Sequence, residues 1–294
     1  MSKISKKIEI NLVPIIAIVL MNINQILVHS VTPPDSGGQP TRYLIYWLLF
    51  LVSSVGTNLI VLYLGYTSRQ TVKPITKLSK IYFYLVSIGL IGILFSIIIS
   101  NSFASQDLWL LLFPISHNDF QLASSILIWY VFGPMISRYV HTLSKITLNS
   151  ITLLVFWFFL IMPFLFGKQL WGIESGSSFI WVGVLFLFGV LLNEINILSK
   201  MHIKSTILTI VFVLIVLLLF LKVSPLSGQA VDLRNRLFSN YSLPLFVFTI
   251  LIFNLCNNIT VIKSSKKRFK KLFSINWLFL TIFFSFTCQP LCIY

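Results

Sequence analysis

The sequence predicts an all-α, polytopic integral-membrane helical bundle with about nine transmembrane helices and a cytoplasmic N-terminus. Of its 294 residues, 57% are hydrophobic and only 10% are charged, whereas a soluble domain carries about 25% charged residues. The mean hydropathy is +0.93, so there are too few polar residues to cover a soluble core. Basic residues also concentrate in every second loop between the apolar runs. Soluble, disordered and disulfide-framework classes are therefore excluded, and residues 1–294 are interpreted as one membrane domain.

The apolar runs define the predicted helices. About twenty apolar residues cross the hydrocarbon core of a bilayer. By this measure the predicted helices are Ile10–Val28, Tyr43–Leu64, Ile81–Ile99, Phe120–Ile136, Ile151–Gly167, Ser177–Ile195, Ser205–Lys222, Tyr241–Ile262 and Leu272–Tyr294. The alternating pattern of a β-barrel is absent, and single spans must satisfy their backbone internally, so all are predicted to be helical. The first is not expected to be a cleaved signal peptide, because its apolar run is long and no small-x-small site follows it.

Loop charges predict the orientation of the chain. With the N-terminus in the cytoplasm, all but five of the 22 Lys and Arg residues fall in cytoplasmic segments. The exceptions are Arg42, Lys168, Lys222, Arg234 and Arg236. This asymmetry favours nine crossings of the cell membrane. The densest basic run, Lys266–Lys271, is interpreted as a cytoplasmic loop near anionic headgroups, so membrane lipids are the expected partner and nucleic acid is not.

Helix one carries a polar stripe. At 100° per residue, Lys7, Asn11, Asn22, Gln25 and His29 fall within about 60° of one another. Polar side chains in a membrane normally face a bundle interior or a water-filled cavity. The stripe therefore predicts that helix one lines a central cavity. The alternative is that its amides only form hydrogen bonds with neighbouring helices.

Three titratable residues lie near the predicted outer ends of helices, and these are the candidate catalytic residues: His29, His117 and Asp119. A histidine close to a carboxylate suits general-base chemistry at neutral pH. The alternative for each is a purely interfacial position.

The remaining titratable residues point to no site. His141 and His202 lie in basic inner loops and are expected to be solvated, and Glu194 is expected to pair with a loop lysine in a structural role. The three cysteines have no spacing typical of metal ligands, so no metal site is predicted.

Five short motifs, taken in order, resemble those of a known family. They are Ile8-Glu9 with Ile15-Ile16-Ala17 and Val28-His29; Gly56-Thr57-Asn58-Leu59-Ile60-Val61-Leu62 with Gly65-Tyr66; Phe113-Pro114-Ile115-Ser116 with Asn118, Tyr130 and Pro134; Ser177, Trp181, Leu187 and Gly189; and Ser242-Leu243-Pro244-Leu245. Their order and spacing agree over roughly residues 8–271. In these motifs the chain is similar to integral-membrane acyltransferase family 3, whose members move acyl groups, commonly acetyl, onto bacterial cell-surface glycans.

The resemblance implies a function and a set of site residues. It implies O-acetylation of an exported or lipid-linked polysaccharide in the bacterial cytoplasmic membrane, with an acyl-CoA type donor and no bound cofactor. Its implied partners are the glycan or lipid-linked sugar acceptor and other polysaccharide-assembly proteins. The catalytic candidates are those given above, with His29 as the first. The expected substrate-binding residues are Asn22, Gln25, Asn58 and Asn118.

Departures from the family pattern point to lost chemistry. The family's Arg and His of the first helix are replaced by Pro14 and Gln25, which provide neither a charge nor a basic nitrogen. Other polar family positions are occupied by Gln121, Ile126, Phe186 and Asn193. The family's tenth helix and its late His motif also have no counterpart, so the chain is interpreted as C-terminally shortened. These changes predict a diverged member that keeps the bundle but does not transfer acetyl groups to glycan. The alternatives are a non-enzymatic membrane protein of polysaccharide export or assembly, and a truncated relic.

Overall fold

The computed structural model describes residues 8–10, 12–32, 34, 40–70, 87, 121–166, 178–196, 201–223, 237–239, 241–258 and 261–263. These residues form seven main helices and one pair of short strands. In chain order the elements are β1 (Ile8–Ile10), α1 (Val13–Ser30), α2 (Pro40–Thr67, followed by the 3-10 turn Ser68–Gln70), α3 (Gln121–Thr142), α4 (Lys145–Phe166), α5 (Phe179–Ile195), α6 (Ile203–Val223), α7 (Leu243–Asn258) and β2 (Val261–Lys263). Helix α4 runs without a break through a π-helical segment, Trp157–Ile161.

The described helices are those of a membrane protein. Three are long and apolar enough to cross a bilayer, namely Pro40–Thr67, Lys145–Phe166 and Ile203–Leu221. Three shorter apolar helices accompany them: Val13–Val28, Phe179–Ile195 and Leu243–Asn258. Two of the nine predicted helices, Ile81–Ile99 and Leu272–Tyr294, lie outside the described residues apart from Ser87, which is helical. A helical membrane bundle is thus observed, and the number of crossings stays a prediction.

Both ends of the described chain are extended, which corrects two predicted helix boundaries. Strands β1 and β2 pair antiparallel, with Ile8 opposite Lys263. The eighth helix was predicted to reach Ile262, but α7 ends at Asn258 and Val261–Lys263 form β2. The first helix was predicted from Ile10, but α1 begins at Val13. Pro14 occupies its first turn, where a missing N–H costs nothing, and in a longer helix the proline ring would clash with the carbonyl of Ile10. The all-α prediction therefore describes the membrane part and misses this short pairing.

Several helix ends meet at one end of the bundle. Arg69, which follows α2, contacts residues near the ends of α3 and α5. Near the same end of α2, the rings of Tyr66 and Phe253 lie 5.3 Å apart and join α2 to α7. Asn254 of α7 donates a hydrogen bond to Thr206 near the start of α6. We call this the basic end, because it holds Arg69, Arg138, Lys145 and Lys204; it corresponds to the side that loop charge predicts to be cytoplasmic.

Helix α2 packs between α1 and α5. Its Gly65 faces the backbone carbonyl of Phe186, and Gly189 of α5 faces the carbonyl of Leu62, so a Cβ at either glycine would clash with backbone. On the other side of α2, a Cβ at Gly56 would come within 2.7 Å of the α1 backbone. Small residues at helix interfaces allow this close approach in membranes, where van der Waals packing drives association.

Helices α4 and α6 lie at the periphery of the described bundle. In their most apolar stretches only 17% and 11% of the residues are buried, compared with 56% in α2. Their side chains that point away from the bundle are large and apolar, including Leu153, Phe158, Leu208 and Phe212. These two helices therefore present the most apolar outer surface among the described elements.

Candidate functional site

The predicted site residues on α1 are only partly enclosed. Asn22 and Gln25 are half-buried, and Nδ2 of Asn22 donates to the carbonyl oxygen of Ile18 in the same helix at 2.8 Å. His29 belongs to the last turn of α1, at the end opposite the basic end. A cavity along this face of α1 stays a prediction. The predicted residues His117, Asn118 and Asp119 lie outside the described residues.

A different amide of α1 binds the neighbouring helix. Oδ1 of Asn24 lies 3.3 Å from Oγ of Ser53 and 3.3 Å from Oγ of Ser54, and both serines of α2 are buried. Asn24 is not on the predicted stripe; it follows Ala17 and Met21 on the face that packs against α2. The spacing of Ala17, Met21 and Asn24, by four and then three positions, places them on one helix face and was the sequence signal for this contact.

Asn58 lies at the interface between α2 and α5. Its Oδ1 accepts a hydrogen bond from Nε1 of Trp181 at 3.2 Å, and Asn58 and Trp181 each have 0% of their surface exposed. This geometry gives Asn58 a role in holding the two helices together. Its predicted role in lining a substrate cavity stays a prediction.

Three charged or titratable side chains from separate elements meet at the basic end. Nη1 of Arg69 lies 3.5 Å from Oε1 of Glu194, and Nδ1 of His141 lies 2.9 Å from Oε2 of the same carboxylate. Nη2 of Arg69 lies 3.1 Å from Nε2 of His141. The Glu194 side chain is 10% exposed, whereas those of Arg69 and His141 are 49% and 50% exposed. We call these three residues the Arg-His-Glu cluster.

Local backbone features place the three side chains of the cluster. Helix α5 ends where Asn196 takes a left-handed conformation with φ 56°, which leaves Glu194 in the last turn. Asparagine is one of the few residues that adopt this helix-ending conformation readily. On α2, the buried Ser68 hydroxyl donates to the Gly65 carbonyl at 2.8 Å, at the start of the 3-10 turn that carries Arg69.

The cluster extends one sequence-based expectation and corrects another. The His141 side chain is 50% exposed, as expected for a solvated residue, but it also contacts Glu194 and Arg69. Glu194 was expected to pair with a loop lysine, and it contacts Arg69 and His141 instead. A buried carboxylate needs a charged or hydrogen-bonding partner, and the ends of α2 and α3 supply both. The available signal was an acidic residue in the last turn of an apolar helix, at the same predicted end as an Arg and a His.

A second polar group joins α6 and α7 at the basic end. Asn258 donates to Oδ1 of Asn254 at 3.0 Å, and Asn254 donates to the Thr206 hydroxyl at 2.9 Å. Beside them lies an open cleft of about 560 Å³, lined by Met201, His202, Ile203, Lys204 and Asn258. His202 is exposed, as expected. Within the described ranges, no three His, Cys, Asp or Glu side chains come close enough to hold a metal ion.

Comparison of the chain with protein-family models, with curated proteins and with solved structures gives no match. The sequence motifs and the geometry of the described residues are therefore the basis on which a function can be inferred.

Proposed function

We propose that this protein is an acyltransferase-like membrane protein that acts on an exported or lipid-linked cell-surface polysaccharide in a bacterial cytoplasmic membrane, where the inherited reaction is O-acetylation. The observation that carries this proposal is the α2–α5 interface. Two of the five motifs that resemble acyltransferase family 3 come together there.

The residues of that interface belong to the second and fourth motifs. Gly65 and Gly189 let the two backbones touch, and Asn58 and Trp181 form a hydrogen bond within the same contact. The two motifs lie far apart in the sequence, and each resembles the family pattern independently of the other. Their use in one helix contact supports a shared packing scheme for the two motifs.

The chemistry of the proposal assigns roles along α1. In acyl transfer from a thioester, a glycan hydroxyl attacks the thioester carbonyl, so that a C–O bond forms as the C–S bond breaks. The hydroxyl proton passes to a base, and the thiolate that leaves with the rest of the donor takes up a proton. Because Gln25 stands at the family's His position, His29 is the remaining base candidate in this chain. It lies about 24 Å along the helix from Val13, at 1.5 Å per residue. For transfer at His29, a donor that arrives at the basic end would have to extend its thioester arm across most of a bilayer, past Asn22 and Gln25.

One feature favours the alternative, a non-enzymatic protein of polysaccharide export or assembly. The family's Arg and His positions hold Pro14 and Gln25, and Pro14 is buried in the first turn of α1. Neither residue can transfer a proton or bind an anion through a charge. We therefore expect the unmodified chain to transfer no acetyl group.

Restoring the two family residues tests the proposal. In a strain lacking the gene, we would express the unmodified chain, Gln25→His alone, Gln25→His with Pro14→Arg, and the matched control Gln25→Asn. The O-acetyl content per polysaccharide repeat and the amount of surface polysaccharide are measured in each strain. We expect acetylation only in strains that carry Gln25→His, and most with both changes.

The two readouts separate the candidate functions. Acetylation by the unmodified chain would contradict the predicted loss of turnover and would make His29→Ala the next variant. Absence of acetylation in every strain, together with less surface polysaccharide in the deletion strain alone, would replace the acyltransferase-like proposal by the export role.

A further inference from the structure

The Arg-His-Glu cluster takes no part in the reaction proposed above. Its residues come from the turn after α2 and from the last turns of α3 and α5. Glu194 is nine-tenths buried, whereas about half of each of the Arg69 and His141 side chains faces outward. The carboxylate thus lies behind two side chains that can bind a ligand from outside the bundle.

The contacts of the cluster indicate hydrogen-bonding roles for the two ring nitrogens of His141. A guanidinium can only donate, so Nε2 of His141 must accept the 3.1 Å contact from Arg69. The ring proton is then on Nδ1, which donates to Glu194 at 2.9 Å. With a neutral imidazole, the charges of Arg69 and Glu194 cancel, and the cluster has no net charge.

A proton on Nε2 changes this arrangement. His141 then carries a donor where it held an acceptor, and two donors of like charge lie side by side with no acceptor between them. The net charge of the cluster rises to one positive unit. An anion with several oxygens relieves this state, because it accepts from Nη2 of Arg69 and from Nε2 of His141 together.

We propose that Arg69 and His141 form a binding site for a phosphate group at the basic end, that Glu194 holds the two side chains in position, and that binding takes up one proton at His141. The ligand is either the headgroup phosphate of an anionic lipid or the phosphate of a soluble compound, and both offer the same chemistry. The proposal goes beyond acyl transfer and holds whether or not the chain is an enzyme.

Exposed basic residues lie close to the cluster and add positive charge around it. Among the described residues, the charged groups that contact His141 are Arg69 from the turn after α2 and Glu194 from α5. On α3, Arg138 lies one helical turn before His141. Lys145 follows at the start of α4, and both side chains are exposed. Basic residues at helix ends lie at the depth of lipid phosphates and attract them.

The test uses purified full-length protein in an uncharged detergent, with inorganic pyrophosphate as the soluble probe. Calorimetric titration at pH 5.5 and pH 8.0, at matched ionic strength, brackets the range in which imidazole side chains titrate. Because the charge of pyrophosphate itself changes between these pH values, the wild-type affinity is compared with that of His141→Gln at the same pH. We expect this ratio of affinities to be about tenfold higher at pH 5.5 than at pH 8.0, because a charge-assisted hydrogen bond is gained there.

Three variants assign the effect to the cluster. Arg69→Gln should weaken binding by about tenfold at both pH values, since it removes one charge-assisted contact. His141→Gln keeps a donor toward Glu194 but cannot be protonated, so any pH dependence of its affinity comes from the probe and serves as the reference. The matched control Arg138→Gln removes another exposed arginine, one helical turn from His141, and should change the affinity by less than about twofold.

A second arm distinguishes the two phosphate sources. The melting temperature of the protein is compared in bilayer discs of phosphatidylcholine with and without phosphatidylglycerol, for the wild type and for Arg69→Gln. A stabilisation by phosphatidylglycerol that Arg69→Gln abolishes, and that pyrophosphate competes away, assigns the site to a lipid headgroup. Binding of pyrophosphate without such a stabilisation assigns it to a soluble phosphate ligand.

Three results would overturn the phosphate site. They are a pH dependence of wild-type binding equal to that of His141→Gln, an equal loss of affinity in Arg138→Gln and Arg69→Gln, and no binding of either probe. The third needs only the wild-type protein, so poor folding of a variant cannot hide it.

Discussion

Helices α2 and α5 on one side, and α4 and α6 on the other, are all strongly apolar in sequence but differ in what surrounds them. The first pair is buried, touches backbone to backbone at Gly65 and Gly189, and is joined by a hydrogen bond from Trp181. The second pair carries no glycine and exposes large aliphatic and aromatic side chains along its length.

This difference shows which sequence feature predicts helix packing in a membrane. Apolar character places a segment in the bilayer, but lipid is as apolar as a leucine side chain, so hydropathy does not tell a buried helix from a peripheral one. A buried helix is distinguished instead by glycines spaced along it, with a buried amide or indole beside them. The predictions below use substitutions that act on one pair of helices and leave the other unchanged.

The largest expected effect comes from filling a glycine contact. Gly65→Leu places a branched side chain against the Phe186 carbonyl, where even a Cβ would clash. We expect a loss of at least about 3 kcal/mol in the free energy of unfolding, or failure to assemble. Reversible unfolding in mixed micelles measures it. The matched control Ser150→Leu adds bulk at an exposed position of α4; comparable losses in the two variants would remove the distinction between the helix pairs.

A smaller effect is expected from the indole at the same interface. Trp181→Phe keeps the ring that packs against Phe246 and removes the N–H that binds Asn58. The loss should be about 1–2 kcal/mol, because Asn58 loses a donor in a buried place. Trp157→Phe on α4 is the control; that side chain is 43% exposed, and its loss should stay within about 0.5 kcal/mol. An equal response of the two tryptophans, read from melting temperatures in detergent, would argue against a structural role for the Asn58 bond.

The smallest effect is expected on the outer surface of α6. Leu208 is 72% exposed, so Leu208→Ala should change the free energy of unfolding by less than about 0.5 kcal/mol. Leu59→Ala makes the same truncation inside α2, where it leaves a cavity, and should cost about 3 kcal/mol. A loss above about 1.5 kcal/mol for Leu208→Ala in a bilayer would show that another protein chain, and not lipid, covers this surface.

The sequence predicted much of the helical bundle because each apolar run is a local signal. It placed the start of α1 three residues too early. The apolar run at Ile10 continues into Pro14, and only the geometry of the proline determines that the helix begins at Val13. It also missed the early start of α4, where Ser144 accepts a hydrogen bond from the Thr147 amide and caps the helix among polar residues.

The site was harder to predict than the bundle. Among the predicted residues, Asn58 makes a side-chain contact between two helices. Its partner is Trp181 of α5 and not a substrate. The Arg-His-Glu cluster was missed because its members are distant in sequence, and each alone has an ordinary explanation at a membrane boundary. Contacts of this kind depend on which helix ends coincide, and hydropathy carries no information about that.

The pairing of β1 with β2 has a consequence for biosynthesis. Ile8 is made before all seven described helices, and its partner Lys263 is made only after them. During translation the backbone hydrogen-bonding groups of β1 therefore stay without their strand partner until β2 has been made. Closure of this small sheet follows the synthesis of all seven described helices, and any factor that binds β1 beforehand delays it.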